Sequence, residues 1–170
     1  NTSVTRTTAT DLYTPRGQMA GASVGNYALF AGGNQGYETT QAWVDAYNTS
    51  LTKTMAADLS TARYLLAGAS VGNYALFAGG GWWYDFYDVV DVYDSSLTRL
   101  TATPLDNASI FYFGISLDTH AIFVGGSSNV NTYNSSLVRE VINKDTTYKS
   151  GACIDNYALA VGGPNEYSND

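Results

Sequence analysis

One fourteen-residue phrase occurs twice in this chain, letter for letter: AGASVGNYALFAGG fills residues 20–33 and again residues 67–80. Weaker copies follow as FGISLDTHAIFVGG at 113–126 and SGACIDNYALAVGG at 150–163. The first glycines of the closing doublets are Gly32, Gly79, Gly125 and Gly162, spaced by 47, 46 and 37 residues. A second phrase keeps step with the first: VDAYNTSLTKT from Val44, VDVYDSSLTRL from Val90 and VNTYNSSLVRE from Val130. The opening NTSVTRT matches the tail of that second phrase. Self-similarity at such a period means one supersecondary unit, repeated and stacked on its neighbours.

Each unit divides into four short strands, A to D. In the second unit they are expected over 65–71, 74–79, 89–93 and 97–101. Strands A and B are joined by Gly25-Asn26, Gly72-Asn73, Asp118-Thr119 and Asp155-Asn156, residue types that tolerate the positive φ of tight hairpin turns. Strand A carries unusually small side chains, as in Ala67, Gly68, Ala69 and Ser70. Glycine weakens a strand unless something crowds it, so these first strands should converge on a common centre. Cys153, in the same strand of the fourth unit, then reads as a small buried residue with no basic neighbour to activate its thiol.

Composition agrees with strands and tight turns: 14 of the 170 residues are Tyr, 17 are Gly and only three are Pro. The chain is long enough for one domain with a real core. Its net charge of −7 argues against nucleic acid, whose phosphates demand a basic face. No apolar run approaches a membrane span, and no signal-peptide pattern is present. The chain opens on Asn1 rather than Met, in keeping with a processed chain or a piece of a longer one. With Cys153 the single cysteine, no disulfide forms within the chain.

The doublets Gly32-Gly33, Gly79-Gly80, Gly125-Gly126 and Gly162-Gly163, the tyrosines Tyr47, Tyr93 and Tyr133, and the arginines Arg16 and Arg63 entering strand A resemble kelch repeats. The resemblance spans nearly the whole chain. It is especially similar to divergent kelch arrays of bacterial surface proteins and phage tail-associated proteins. Two features depart from the pattern: leucines Leu51, Leu97 and Leu137 stand near the place of the usual strand D tryptophan, and Ser109 stands where the third unit should have its arginine. The resemblance implies an all-β fold: a β-propeller of four kelch-like four-stranded blades in one domain over 1–170, with repeats near 1–47, 48–93, 94–133 and 134–170. It also implies a location outside the cell, on a cell surface or a virion.

The repeat order runs strand D, three full sets of A to D, then A, B and part of a strand C around Tyr167. An N-terminal strand D joining the last blade would close the ring and remove exposed sheet edges. The rival is a larger ring, or half of a ring completed by a second chain.

Catalytic chemistry finds little purchase. Galactose-oxidase-like enzymes of similar architecture need two histidine ligands for copper, and His120 is the single histidine; it stands where other units have Tyr27, Tyr74 and Tyr157. No metal site, cofactor, G-x-S-x-G nucleophile elbow or phosphate-cradling glycine loop is expected. Asp85, Asp88, Asp91 and Asp94 are spaced by three, but a period of three alternates faces on a strand, and Asp91 and Asp94 match Asp45 and Asn48 of the first unit. The sequons at Asn48 and Asn134 fall in equivalent C–D turns where the second unit has Asp94, which points to turn chemistry; Asn107 opens a third.

The B–C loops differ from unit to unit and hold all three tryptophans. Variable loops on a repeated scaffold are where binding resides. The candidate ligand-binding residues are Trp82, Trp83, Tyr84, Phe86 and Tyr87 in unit two, with Tyr37 and Trp43 in unit one. Tyr13 and Arg16 join them if the D–A loops emerge on the same face. Exposed aromatics with a few polar groups suit a sugar ring or a protein surface. The expectation is therefore a non-enzymatic recognition or adhesion module, with a structural or decoration subunit of a larger assembly as the alternative and a glycan-active hydrolase or lyase as the third.

Overall fold

The computed structural model describes residues 5–36, 39–126, 129–143 and 148–162. All regular structure among them is antiparallel β. The first sheet is β1 (Ala20–Val24), β2 (Tyr27–Ala31), β3 (Val44–Asn48) and β4 (Lys53–Met55), in that order. In the second, β5 (Ala67–Val71) and β6 (Tyr74–Ala78) are followed by a small separate hairpin, β7 (Gly81–Trp82) and β8 (Asp85–Phe86). The chain then returns to pair β9 (Val90–Tyr93) with β6 and adds β10 (Arg99–Thr101) outside it. The third sheet is β11 (Phe111–Ser116), β12 (His120–Gly125), β13 (Asn129–Asn134) and β14 (Arg139–Asn143). A two-stranded ribbon, β15 (Tyr148–Ile154) and β16 (Tyr157–Gly162), completes the described chain.

The hairpin turns follow the sequence. Gly25, Gly72 and Asp155 take φ of 53°, 54° and 50° as first turn residues; the third turn departs, since neither Asp118 nor Thr119 has a positive φ and Leu117 N–H closes the loop on His120 O at 2.8 Å. The C–D turns contain a feature that composition hides. Leu51, Leu97 and Leu137 sit at φ 58°, 63° and 60°, a conformation branched side chains rarely adopt. Each is held there from below. The Oδ1 of Asn48 accepts from the amides of Ser50 and Thr52, that of Asp94 from Ser96 and Thr98, and that of Asn134 from Ser136 and Val138. Asn and Asp interchange because both supply that oxygen. The expected strand D start at Leu97 therefore shifts to Arg99.

The inner strands stack: β5 packs on β1, β11 on β5, and β15 on β11. Glycine permits this. A Cβ on Gly68 would enter the backbone of Gly21, and one on Gly114 would enter the backbone of Gly68. A serine ladder runs beside the contact: Ser23 N–H donates to Ser70 Oγ at 3.0 Å, and Ser70 N–H to Ser116 Oγ at 2.8 Å. The core is built in two parts between successive sheets. Val24, Leu29, Ala31 and Val44 of the first sheet bury Ala75, Phe77 and Tyr93 of the second. Val71, Leu76, Val90 and Val92 of the second bury Ala121, Phe123 and Tyr133 of the third.

Two expectations need correction. Among the described residues no sheet closes on itself, and residues 5–12 form no strand with β16; Asn1 and Tyr167 lie outside the described residues. Cys153 is exposed rather than buried. Its repeat counterparts Ser23 and Ser116 are exposed and Ser70 is half-buried, so this position of the inner strand faces outward throughout the array.

Candidate functional site

The most exposed aromatic cluster is the β7–β8 hairpin. Trp82, Trp83, Tyr84 and Phe86 are 43%, 55%, 89% and 47% exposed, while Tyr87 is half-buried at its base. The hairpin is short and anchored. Gly81 and Tyr64 exchange backbone hydrogen bonds at 2.9 and 3.0 Å, and Tyr87 N–H donates to Gly80 O at 2.9 Å. Gly81 is required there, since a Cβ would enter the carbonyl of Asp85. Trp83 holds φ 54° at the turn. Asp85 and Asp88 place exposed carboxylates beside the rings.

Gly17 pairs with Asn34 just as Tyr64 pairs with Gly81, so the D–A and B–C loops do share one edge of each sheet. On that edge of the first sheet, Tyr13 and Trp43 meet edge to face at 5.0 Å, with Lys53 Nζ 5.9 Å from the Tyr13 ring. Tyr13 is exposed and Trp43 half-buried. No ring contact among the described residues joins this pair to the β7–β8 hairpin; Tyr37 lies outside the described residues.

Arg16 does not belong with them. Its side chain is fully buried, with Nη1 2.7 Å from Asp45 Oδ2. Its Nε donates to Gly32 O and its Nη2 to Phe30 O, at 2.7 and 3.0 Å. Arg63 repeats the arrangement on Asp91, Gly79 O and Phe77 O. These arginines tie the end of the second strand to an aspartate of the third, and nothing of them is left for a ligand. Asp91 and Asp94, spent on Arg63 and on the C–D turn, are likewise occupied.

Sequence reasoning missed the third version of this clasp. Asn131 stands in place of the aspartate, and Asp106 comes in from the loop. Asp106 N–H donates to Asn131 Oδ1 at 3.1 Å, and Asn131 Nδ2 returns to Asp106 Oδ1 at 2.7 Å, with Asn129 Nδ2 on Oδ2. Partial burial pushes the Asp106 carboxyl upward, but bonds from Asn129, Asn131 and Asn107 outweigh it and leave its pKa below the ordinary value. The signal was legible: aligning the repeats sets Asp106 against Ser60 and Tyr13, the same unit that loses its arginine.

Tyr47, Tyr93 and Tyr133 are structural too. Their hydroxyls donate to Thr10 O, Ala57 O and Thr103 O at 2.7, 2.9 and 2.8 Å. Burial, with nearby carboxylates, raises the pKa of Tyr93 and Tyr133 well above the usual phenol range. His120 is half-buried at the start of β12, with Nδ1 3.0 Å from Thr119 Oγ1. No protein-family model matches the chain, and no curated protein is significantly similar to it.

Proposed function

We propose that the chain is a kelch-like propeller module that recognises a glycan or a protein surface through its loop edge, with the β7–β8 hairpin as the principal contact. The carrying observation is the exposure of four large aromatics within the five residues 82–86 of a hairpin pinned at both ends. Aromatic anchors held rigid in the free protein lose little entropy on binding, which makes them efficient contacts. Rings flanked by carboxylates suit the C–H faces and hydroxyls of a sugar as well as an apolar patch on a protein. The buried clasps support a non-catalytic reading, because the buried ionic groups of repeats one and two are consumed in holding strands together. The repeat pattern favours a setting outside the cell, on a bacterial or virion surface.

A second reading, a structural subunit within a larger assembly, is favoured by the apolar faces at the two ends of the array, where Leu159, Val161 and Phe30 stand exposed. The Trp82→Ala/Trp83→Ala double variant separates the two readings. Glycan-array and whole-cell binding should fall at least about 30-fold, the effect of removing a hot-spot contact. Unchanged binding removes the hairpin reading and leaves the structural one.

A further inference from the structure

The sheets stack by one rule, applied twice, and the two ends of the stack are the unmatched halves of that same rule. At both junctions between four-stranded sheets the leading face of one sheet buries an alanine, a phenylalanine and a tyrosine of the next. Val24, Leu29 and Ala31 cover Ala75, Phe77 and Tyr93; Val71, Leu76 and Ala78 are grouped with Ala121, Phe123 and Tyr133. The turn leucine of the following sheet and the tyrosine that opens the second strand both pack against each core: Leu97 and Tyr27 in the first, Leu137 and Tyr74 in the second.

The first sheet carries its own set, Ala28, Phe30, Tyr47 and Leu51, with no described strand upon it; only the 9–12 segment borders it and leaves Tyr47 buried. There they line an apolar groove of about 500 Å³ together with Leu12 and Met19. Phe30 is 36% and Leu51 40% exposed, whereas Phe77 and Phe123 are fully buried. Leu12 and Met19 are half-buried, whereas their counterparts Leu59 and Leu66 are buried. At the other end, no described strand packs on the outer face of β15–β16, while its inner side, with Leu159 at the border, shares a groove with Ile115, Ile122 and Val124 of the third sheet. Ile154, Leu159 and Val161 are 65%, 54% and 64% exposed, where Val24, Leu29 and Ala31 are 3%, 0% and 0%. Tyr157, the counterpart of Tyr27, is 70% exposed. No residue of β15 or β16 lines the groove on the first sheet.

We propose that a second copy of this chain docks head to tail, with its β15–β16 face seated on the Phe30–Tyr47–Leu51 groove of the first. Leu159, Val161 and Ile154 then cover Phe30 and Tyr47, and Tyr157 meets Leu51. Cys153 takes the place of Ser23 in the ladder, facing Ser23 of the second copy as Ser23 faces Ser70 across 3.3 Å. One position must adapt. Asp155 stands where Gly25 has room for a Cβ only 3.0 Å from Ser95, so Thr49 of the second copy yields by a few tenths of an ångström. The contact joins two different faces, so repetition gives either a closed ring of copies or an open string. The proposal does not depend on what the β7–β8 hairpin binds.

Cys153 supplies the test. Sedimentation of the wild-type chain should give a multiple of 18.2 kDa. Ser23→Cys, mildly oxidised, should give species of twice the chain mass and higher multiples on a non-reducing gel, because thiols at equivalent ladder positions lie within disulfide reach. Leu159→Asp and Phe30→Asp, both at exposed sites, should each return a folded monomer with unchanged circular dichroism. A wild-type chain that sediments as a monomer at all concentrations overturns the proposal. So does a Ser23→Cys product that keeps the mass of one chain with both thiols consumed, since the array would then close on itself. An oligomer that survives both aspartate variants also overturns it.

Discussion

In the second sheet Arg63 lies fully buried, 2.8 Å from Asp91, and the same carboxylate accepts from the amide and hydroxyl of Ser60 at 3.1 and 3.0 Å. In the third sheet Ser109 and Asn131 occupy the places of that pair, and a loop carboxylate, Asp106, reaches in from the position of Ser60. The charge has moved from the strand to the loop and has lost its cation. What both versions keep is the bond from the loop amide to the third strand, which the first sheet also makes, from Tyr13 N–H to Asp45 Oδ1 at 3.0 Å. The repeat therefore requires a loop-to-strand clasp and tolerates two chemistries for it. A buried ion pair is a weak source of net stability, but losing half of it is costly. A mostly neutral amide–carboxylate network at a half-exposed site carries less of that risk.

The comparison breaks most decisively at Arg63. Arg63→Ala leaves Asp91 buried without its cation and strips donors from Gly79 O and Phe77 O. The expected loss is about 3–5 kcal/mol, a large part of the stability of any domain this size, read from the midpoint of chemical denaturation. Asp106→Ala should cost visibly less. Equal losses would mean that burial of charge does not distinguish the two clasps.

A transplant sharpens the same point with a smaller effect. Ser60→Asp/Arg63→Ser/Asp91→Asn writes the third repeat's residues into the second. The triple variant should recover part of what Arg63→Ala loses, because no buried carboxylate is left without its cation, while Gly79 O and Phe77 O still lack the arginine donors. If it is no more stable than the single variant, the two networks are not interchangeable and the third sheet depends on its own loop.

How much of this was legible follows from what kind of pattern each feature leaves. Periodic features were plain: the paired strands, the Gly-Asn turns, the small inner strand and the aromatic B–C loop all recur or stand out at fixed offsets. The Asn48/Asp94/Asn134 exchange even disclosed its turn role. Contact-dependent features were not. Arg16 read as a loop residue because a sequence does not say that Asp45, 29 positions on, lies 2.7 Å away. Cys153 read as buried because small residues on an inner strand suggest crowding, yet its repeat equivalents Ser23 and Ser116 are exposed as well. The end faces escaped because a repeat alignment assumes a neighbour on both sides: Leu159 and Leu29 are the same letter in the same phrase, and only packing separates them.

The smallest expected effect is the dependence of the third clasp on acid. Asp106 is held below the ordinary carboxyl value in the folded chain, since its asparagine donors favour the charged form more than burial disfavours it. A depressed folded pKa means the unfolded chain binds the proton more readily. The stabilisation is therefore fully present above the unfolded value of 3.8 and is lost as pH falls through the lower folded one. Asp94, lowered by its bonds from Ser96 and Thr98, behaves in the same sense, so wild type alone does not isolate the clasp. Asp106→Asn does. It keeps the backbone bond to Asn131 and one acceptor oxygen but removes the titrating group, at a cost near neutral pH of about 1 kcal/mol. The gap between wild type and variant should narrow between pH 5 and pH 2 in thermal melts. A gap that stays constant over that range would show that Asn129 and Asn131 hold the loop by shape, not by the charge of Asp106, and the third clasp would then differ from the first two only in size.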